Sequence, residues 1–84
     1  MNVKFSPEAW EEYVSWQQDD LKKLTKISRF IAEIKRTPYE GLGSPEALRH
    51  ELSGWWSRRI DQEQRLVYRV EKDCIEIVQC RYHY

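Results

Sequence analysis

Trp56-Ser57-Arg58-Arg59-Ile60-Asp61-Gln62-Glu63-Gln64-Arg65-Leu66-Val67-Tyr68-Arg69-Val70 is the stretch on which the fold turns. Its two arms alternate with a period of two, and the polar run Asp61 to Gln64 joins them. That pattern predicts an antiparallel hairpin. In the second arm Leu66, Tyr68 and Val70 fall on one face, and Arg65, Val67 and Arg69 on the other.

On the C-terminal side Lys72-Asp73 turns the chain, and the run from Cys74 to Tyr84 reads as a last strand and tail. On the N-terminal side Ser53-Gly54 is a turn, and His50-Glu51-Leu52 is expected to open a strand. Before it, Pro38 to Glu46 holds all but one of the prolines and all but one of the glycines, which marks a loop able to carry function. Further back the period becomes helical. Leu21, Leu24, Ile27, Phe30, Ile31 and Ile34 form an apolar stripe, with Lys22, Lys23, Lys26, Arg29 and Glu33 expected to face outward. Thr37-Pro38 ends this helix. A helix entered through Ser6 as N-cap and Pro7 at the first position precedes it, with Trp10, Tyr13 and Val14 as its apolar residues. Asp19-Asp20 breaks the two helices apart and suits a second N-cap and first turn, and residues 2–5 read as a short strand. The expected layout is β-α-α-β-β-β: an α+β fold with two N-terminal helices packed on a mostly antiparallel sheet.

With 84 residues the chain is expected to be one domain. Such a chain buries roughly 60–65% of its unfolded surface, for a stability on the order of 4–8 kcal/mol. Hydrophobic residues at 40% and charged residues at 33% exclude a disordered chain. No apolar run is long enough for a membrane span, nothing resembles a signal peptide, and the cytoplasm is the expected location. Cys74 and Cys80 lie roughly 20 Å apart along one strand, too far for a disulfide. Two histidines and no CxxC make a zinc site unexpected.

The net charge is zero, but Arg49, Arg58, Arg59, Arg65 and Arg69 crowd one window against Glu51, Asp61 and Glu63, a local excess of two positive charges. Arginine suits bidentate phosphate contact. Cutting RNA without a metal requires a base for the ribose 2′-OH, an acid for the departing 5′-oxygen and a fixed cation for the phosphorane-like transition state. His83 has the pKa range of an acid at neutral pH. Arg59 and Arg65, brought together by the hairpin, would make a phosphate clamp. Glu46, at the loop exit, is the candidate base, with Glu63 as its rival. Tyr84, Trp55 and Tyr39 offer stacking surface, whereas Trp56 and Tyr68 suit the core. Each has a plainer reading: a tail histidine, a solvated arginine, a carboxylate in a structural salt bridge, and His50 as a packing or capping residue.

The run Arg36-Thr37-Pro38-Tyr39-Glu40-Gly41-Leu42-Gly43-Ser44-Pro45-Glu46-Ala47-Leu48 resembles the loop of the YoeB toxins in the RelE superfamily. Leu52-Ser53-Gly54-Trp55-Trp56-Ser57-Arg58-Arg59-Ile60, Arg65-Leu66-Val67-Tyr68, the ending Cys80-Arg81-Tyr82-His83-Tyr84, and Trp10-Glu11-Glu12-Tyr13 with Trp16 resemble them too, in order and over the whole chain. The resemblance implies the toxin of a toxin–antitoxin pair, an endoribonuclease that cuts mRNA in the ribosomal A site and needs no cofactor. It implies Glu46 as general base, His83 as general acid and Arg65 as transition-state stabiliser. Arg59 and Arg49 would hold phosphate, and Tyr84 would orient the substrate. Arg49 stands where the family is expected to carry lysine. A YefM-like antitoxin and a homodimer are the implied protein partners. Two alternatives are a toxin of the same fold that acts on DNA gyrase as ParE proteins do, and a plain RNA-binding module.

Overall fold

The computed structural model describes residues 1–82. Strand β1 (Asn2–Phe5) leads into helix α1 (Pro7–Asp19) and helix α2 (Leu21–Ile34). Strands β2 (Glu46–Ala47), β3 (Trp56–Arg59), β4 (Arg65–Glu71) and β5 (Cys74–Gln79) follow, with a 3-10 turn at His50–Leu52. The sheet order is β1-β5-β4-β3-β2. β1 runs parallel to β5, and every other pair is antiparallel. The expected class therefore holds: two helices on a mostly antiparallel sheet.

The local signals act as their chemistry dictates. The Ser6 hydroxyl accepts from the Ala9 N–H at 3.1 Å, and Pro7 fills the first helical position. Asp20 closes α1 by donating its N–H to the Trp16 carbonyl at 2.9 Å. Its carboxylate then caps α2 by accepting from the Lys22 N–H at 3.1 Å. One residue thus serves two helix ends. Lys72 and Asp73 both take left-handed φ angles, 49° and 58°, the geometry of a tight hairpin turn.

The helices cover one face of the sheet. Ile27, Phe30 and Ile34 of α2 and Ala9 and Trp16 of α1 pack on Leu66, Tyr68, Ile75 and Ile77. The buried stripe of α1 differs from the expected one. Trp10 and Val14 are exposed, and Ala9, half-buried Tyr13 and Trp16 face the sheet instead. Positions i, i+4 and i+7 make that stripe, and its small first member hid it among larger neighbours. Leu21, expected in the stripe of α2, is likewise exposed. The strand expected at His50-Glu51-Leu52 is a 3-10 turn, because His50 has φ 59° and the Arg49 and His50 carbonyls take the N–H groups of Leu52 and Ser53. The strand lies earlier, at Glu46–Ala47, in what reads as loop.

Cys74 and Cys80 are free. Burial pushes the Cys80 thiol up to about 12. Among the described residues no helix is long and apolar enough to cross a membrane.

Candidate active site

Strand register decides which candidate residues meet. Glu46 lies opposite Ser57, Ser57 opposite Val67, and Arg59 opposite Arg65. Directly paired residues share a sheet face, and so do alternate residues along a strand. Glu46, Arg59 and Arg65 therefore stand on one face. It is the face turned away from the helices, since the alternating Arg58, Leu66 and Tyr68 are wholly buried beneath α2. Glu46 and Arg59 are diagonal neighbours, about 7–8 Å apart at Cα, within reach of long side chains.

Among the described residues Glu46, Arg49, Arg59 and Arg65 make no ion pair. The Arg65 guanidinium donates to the Asp61 carbonyl at 2.8 Å and to the Gln64 carbonyl at 3.0 Å. Neutral acceptors fix its direction and leave its charge for an anion. The Asp61 carboxylate caps the hairpin, taking the N–H groups of Gln64 and Glu63, and pairs with Lys23 at 2.9 Å. Desolvation raises its pKa, but those backbone donors and Lys23 outweigh it and hold the group at about 2. The acid nearest Arg65 in sequence is thus engaged elsewhere.

The other candidates are spread more widely. Arg49 is exposed at the entry to the 3-10 turn, past the end of paired β2. Arg69 is neutralised by Glu76 at 3.1 Å and Glu71 at 3.8 Å, and its guanidinium lies 4.6 Å from the Trp55 ring. His50 is exposed at its turn. Trp56 is half-buried, with Tyr39 packed on it at 4.7 Å. His83 and Tyr84 lie outside the described residues. The chain before them ends beside Arg65: the Tyr82 carbonyl accepts from the Arg65 N–H at 3.2 Å and the Gln79 side chain at 3.0 Å, and the Tyr82 N–H donates to Gln64 Oε1.

One arginine of the basic window has a different task. Arg58 is fully buried. It pairs with Glu33 and donates to the carbonyls of Leu42 (3.1 Å), Thr37 (2.8 Å) and Glu40 (2.9 Å) and to the Tyr68 hydroxyl (3.2 Å). Glu33, expected to face outward, turns in to it and accepts the Leu42 N–H at 2.7 Å. The Arg58 side chain and that backbone donor pull the Glu33 carboxyl below its ordinary pKa. The loop over Thr37–Leu42 is thereby tied to the sheet, and the Gly43 carbonyl accepts the Arg59 N–H at 2.7 Å just before Glu46. Sequence reasoning grouped Arg58 with the surface arginines. The available signal was its alternation with Trp56 and Ile60, which puts it on the apolar face.

Among the described residues no three His, Cys, Asp or Glu side chains cluster to hold a metal ion.

Comparison with known proteins decides the family. Residues 5–84 match the model of the YoeB-like toxin of bacterial type II toxin-antitoxin systems. The chain belongs to the YoeB toxin family. It is 50% identical to toxin YoeB of Escherichia coli K12 over 84 residues, the whole of both chains. It is 51% identical to toxin RelK of Mycobacterium tuberculosis over 83 residues, 99% of this chain and 98% of that one. Among solved structures, the YoeB/ParE toxin from Agrobacterium tumefaciens superposes with a TM-score of 0.97 at 43% identity, over the whole of both chains. Toxin from the Staphylococcus aureus YoeB–YefM heterotetramer does so with a TM-score of 0.93 at 46% identity, over all of this chain and 98% of that one. A YoeB dimer from Staphylococcus aureus matches equally well, with a TM-score of 0.93. The chain is thus a YoeB toxin of a type II toxin–antitoxin system.

Proposed function

We propose that this YoeB toxin is an endoribonuclease that cuts mRNA in the ribosomal A site and so stops translation. The observation that carries the reading is the shared face of Glu46, Arg59 and Arg65, an acid and two cations without counter-ions among the described residues. A structural salt bridge would have joined them to other groups. Without counter-ions among the described residues, they suit a phosphodiester laid across the sheet.

In this reading the Glu46 carboxylate takes the proton of a ribose 2′-OH. The 2′-oxygen attacks the adjacent phosphorus, and the bond to the 5′-oxygen breaks. His83 gives that oxygen its proton, so the products are a 2′,3′-cyclic phosphate and a 5′-hydroxyl end. Arg65 and Arg59 stabilise the charge on the phosphorane-like transition state, and Arg65 is pre-aimed by the two carbonyls that hold it. Arg49 adds phosphate contact, and Tyr84 orients the substrate. No step calls for a metal or cofactor. A YefM-like antitoxin and a second copy of the chain are the proposed protein partners, as in the Staphylococcus aureus complex and dimer. With the ribosome as target, the site of action is the cytoplasm.

The test is primer extension on a defined mRNA held on stalled ribosomes, with wild type, Glu46→Ala, Arg65→Ala and His83→Ala. Ribosome-dependent cuts weakened at least about 10²-fold in each variant are expected. An intact message with wild type, with and without ribosomes, would overturn the reading. Blocked DNA supercoiling in a gyrase assay would then assign the ParE-type action.

A further inference from the structure

Charge is strongly segregated between the two helices of this neutral chain. α1 carries Glu8, Glu11, Glu12 and Asp19 and no basic residue. α2 carries Lys22, Lys23, Lys26 and Arg29 against Glu33 alone, with exposed Lys35 and Arg36 just beyond it. The acids close to α2 are already engaged. Glu33 turns inward to Arg58, and Asp20 and Asp61 both pair with Lys23. Lys22, Lys26 and Arg29 are exposed and, among the described residues, have no carboxylate partner. At i, i+4 and i+7 they line one face of the helix, spaced about 4.5–6 Å along its axis.

These three cations also line a groove of about 430 Å³ between α2 and the loop, with Thr25, Phe30, Leu42 and Gly43 as the rest of its wall. Among the described residues no carboxylate lines it. The loop side is fixed in place, because Arg58 and Glu33 hold the Leu42 carbonyl and N–H. A row of unneutralised cations beside a rigid wall is complementary to a regular row of anions, which a phosphate backbone supplies.

We propose that this face of α2, Lys22, Lys26 and Arg29 with the Leu42–Gly43 wall, docks the phosphate backbone of a folded RNA. The proposal rests on the RNA-cleaving reading above. α2 covers the sheet face opposite to Glu46, Arg59 and Arg65, so its three cations and the cutting residues stand on different sides of the sheet. The two faces hold two separate RNA segments across a molecule only 32 × 26 × 25 Å in extent. A folded RNA assembly that presents segments on both sides satisfies both faces, whereas a free single strand engages one. Dependence on the ribosome follows from this two-sided grip.

The test measures binding of fluorescently labelled Glu46→Gln toxin, which keeps the message uncut, to purified ribosomes over a range of salt. The same chain carrying Lys22→Glu, Lys26→Glu and Arg29→Glu is compared, and a milder version with glutamine at the three positions guards against misfolding. Affinity is expected to fall at least about 10-fold at 0.1 M salt. The slope of log affinity against log salt should shrink by about 2–3, the share of three phosphate contacts. Equal affinity and slope for all three proteins would overturn the docking face while leaving the cleavage reading intact. Failure of the parent Glu46→Gln chain to bind ribosomes at all would overturn both. Binding to polyglutamate that charge reversal abolishes, with ribosome affinity unchanged, would assign the face to an acidic protein segment and overturn the RNA proposal.

Discussion

Arg58 shows what a single side chain does for this toxin. Its guanidinium gathers a carboxylate, four carbonyls and a hydroxyl from α2, the loop and β4. Arg58→Ala strands those acceptors in a buried place, and a loss on the order of 3–5 kcal/mol is expected, close to the whole stability of such a small chain. Arg58→Lys keeps the charge but not the fork, and should fall between. Urea denaturation curves check both, and an Arg58→Ala midpoint equal to wild type would refute the network. The depressed carboxyls make a second prediction. Asp61 is moved from its ordinary 3.8 to about 2, and Glu33 is lowered as well. Groups whose folded pKa is depressed stabilise the fold above their unfolded pKa and lose that contribution as pH falls through the folded one. Stability should therefore drop between about pH 4 and 2, and Asp61→Asn should flatten that limb. Identical acid limbs for the two proteins would sink the assignment.

At the scale of elements, Asp20 is the hinge of the helical layer. It ends α1 and starts α2 with no residue to spare. Asp20→Ala removes the carboxylate that caps the Lys22 N–H and a partner of Lys23, and should cost about 1 kcal/mol. Thermal unfolding followed by circular dichroism measures it, and a change under about 0.3 kcal/mol would count against the cap. This cap, like the Ser6-Pro7 entry and the Lys72-Asp73 turn, was legible because the signal lies within a few residues of its effect. The two-residue strand Glu46–Ala47 was not. Its only support is pairing to β3, and two residues give no period to read.

At the scale of the whole molecule, the first and last segments hold each other. β1 runs beside β5, and α1 grips the chain after β5. The Trp16 indole donates to the Cys80 carbonyl at 2.9 Å, Glu12 accepts the Cys80 N–H at 2.9 Å, and Arg81 pairs with Asp19 at 2.8 Å while lying 4.0 Å from the Trp16 ring. Trp16→Phe keeps a ring in the core but removes the donor from a buried carbonyl. A loss of about 1–3 kcal/mol is expected, within a single cooperative transition. Calorimetry reads both, and two separate transitions would show that α1 and the sheet unfold independently.

The sequence by itself determined the two helices, the hairpin, the fold class and the family, because periodicity, caps and ordered motif blocks are properties of neighbouring residues. It also supplied Glu46, Arg59 and Arg65 as candidates. Only the tertiary structure decided that these three share one face, that Arg58 and Glu33 turn inward and that Arg69 is neutralised. It also decided that β1 lies parallel to β5, and that Lys22, Lys26 and Arg29 have no carboxylate partner among the described residues. Each of these depends on which residue of a distant segment arrives opposite, and register between segments is fixed by packing the whole chain at once.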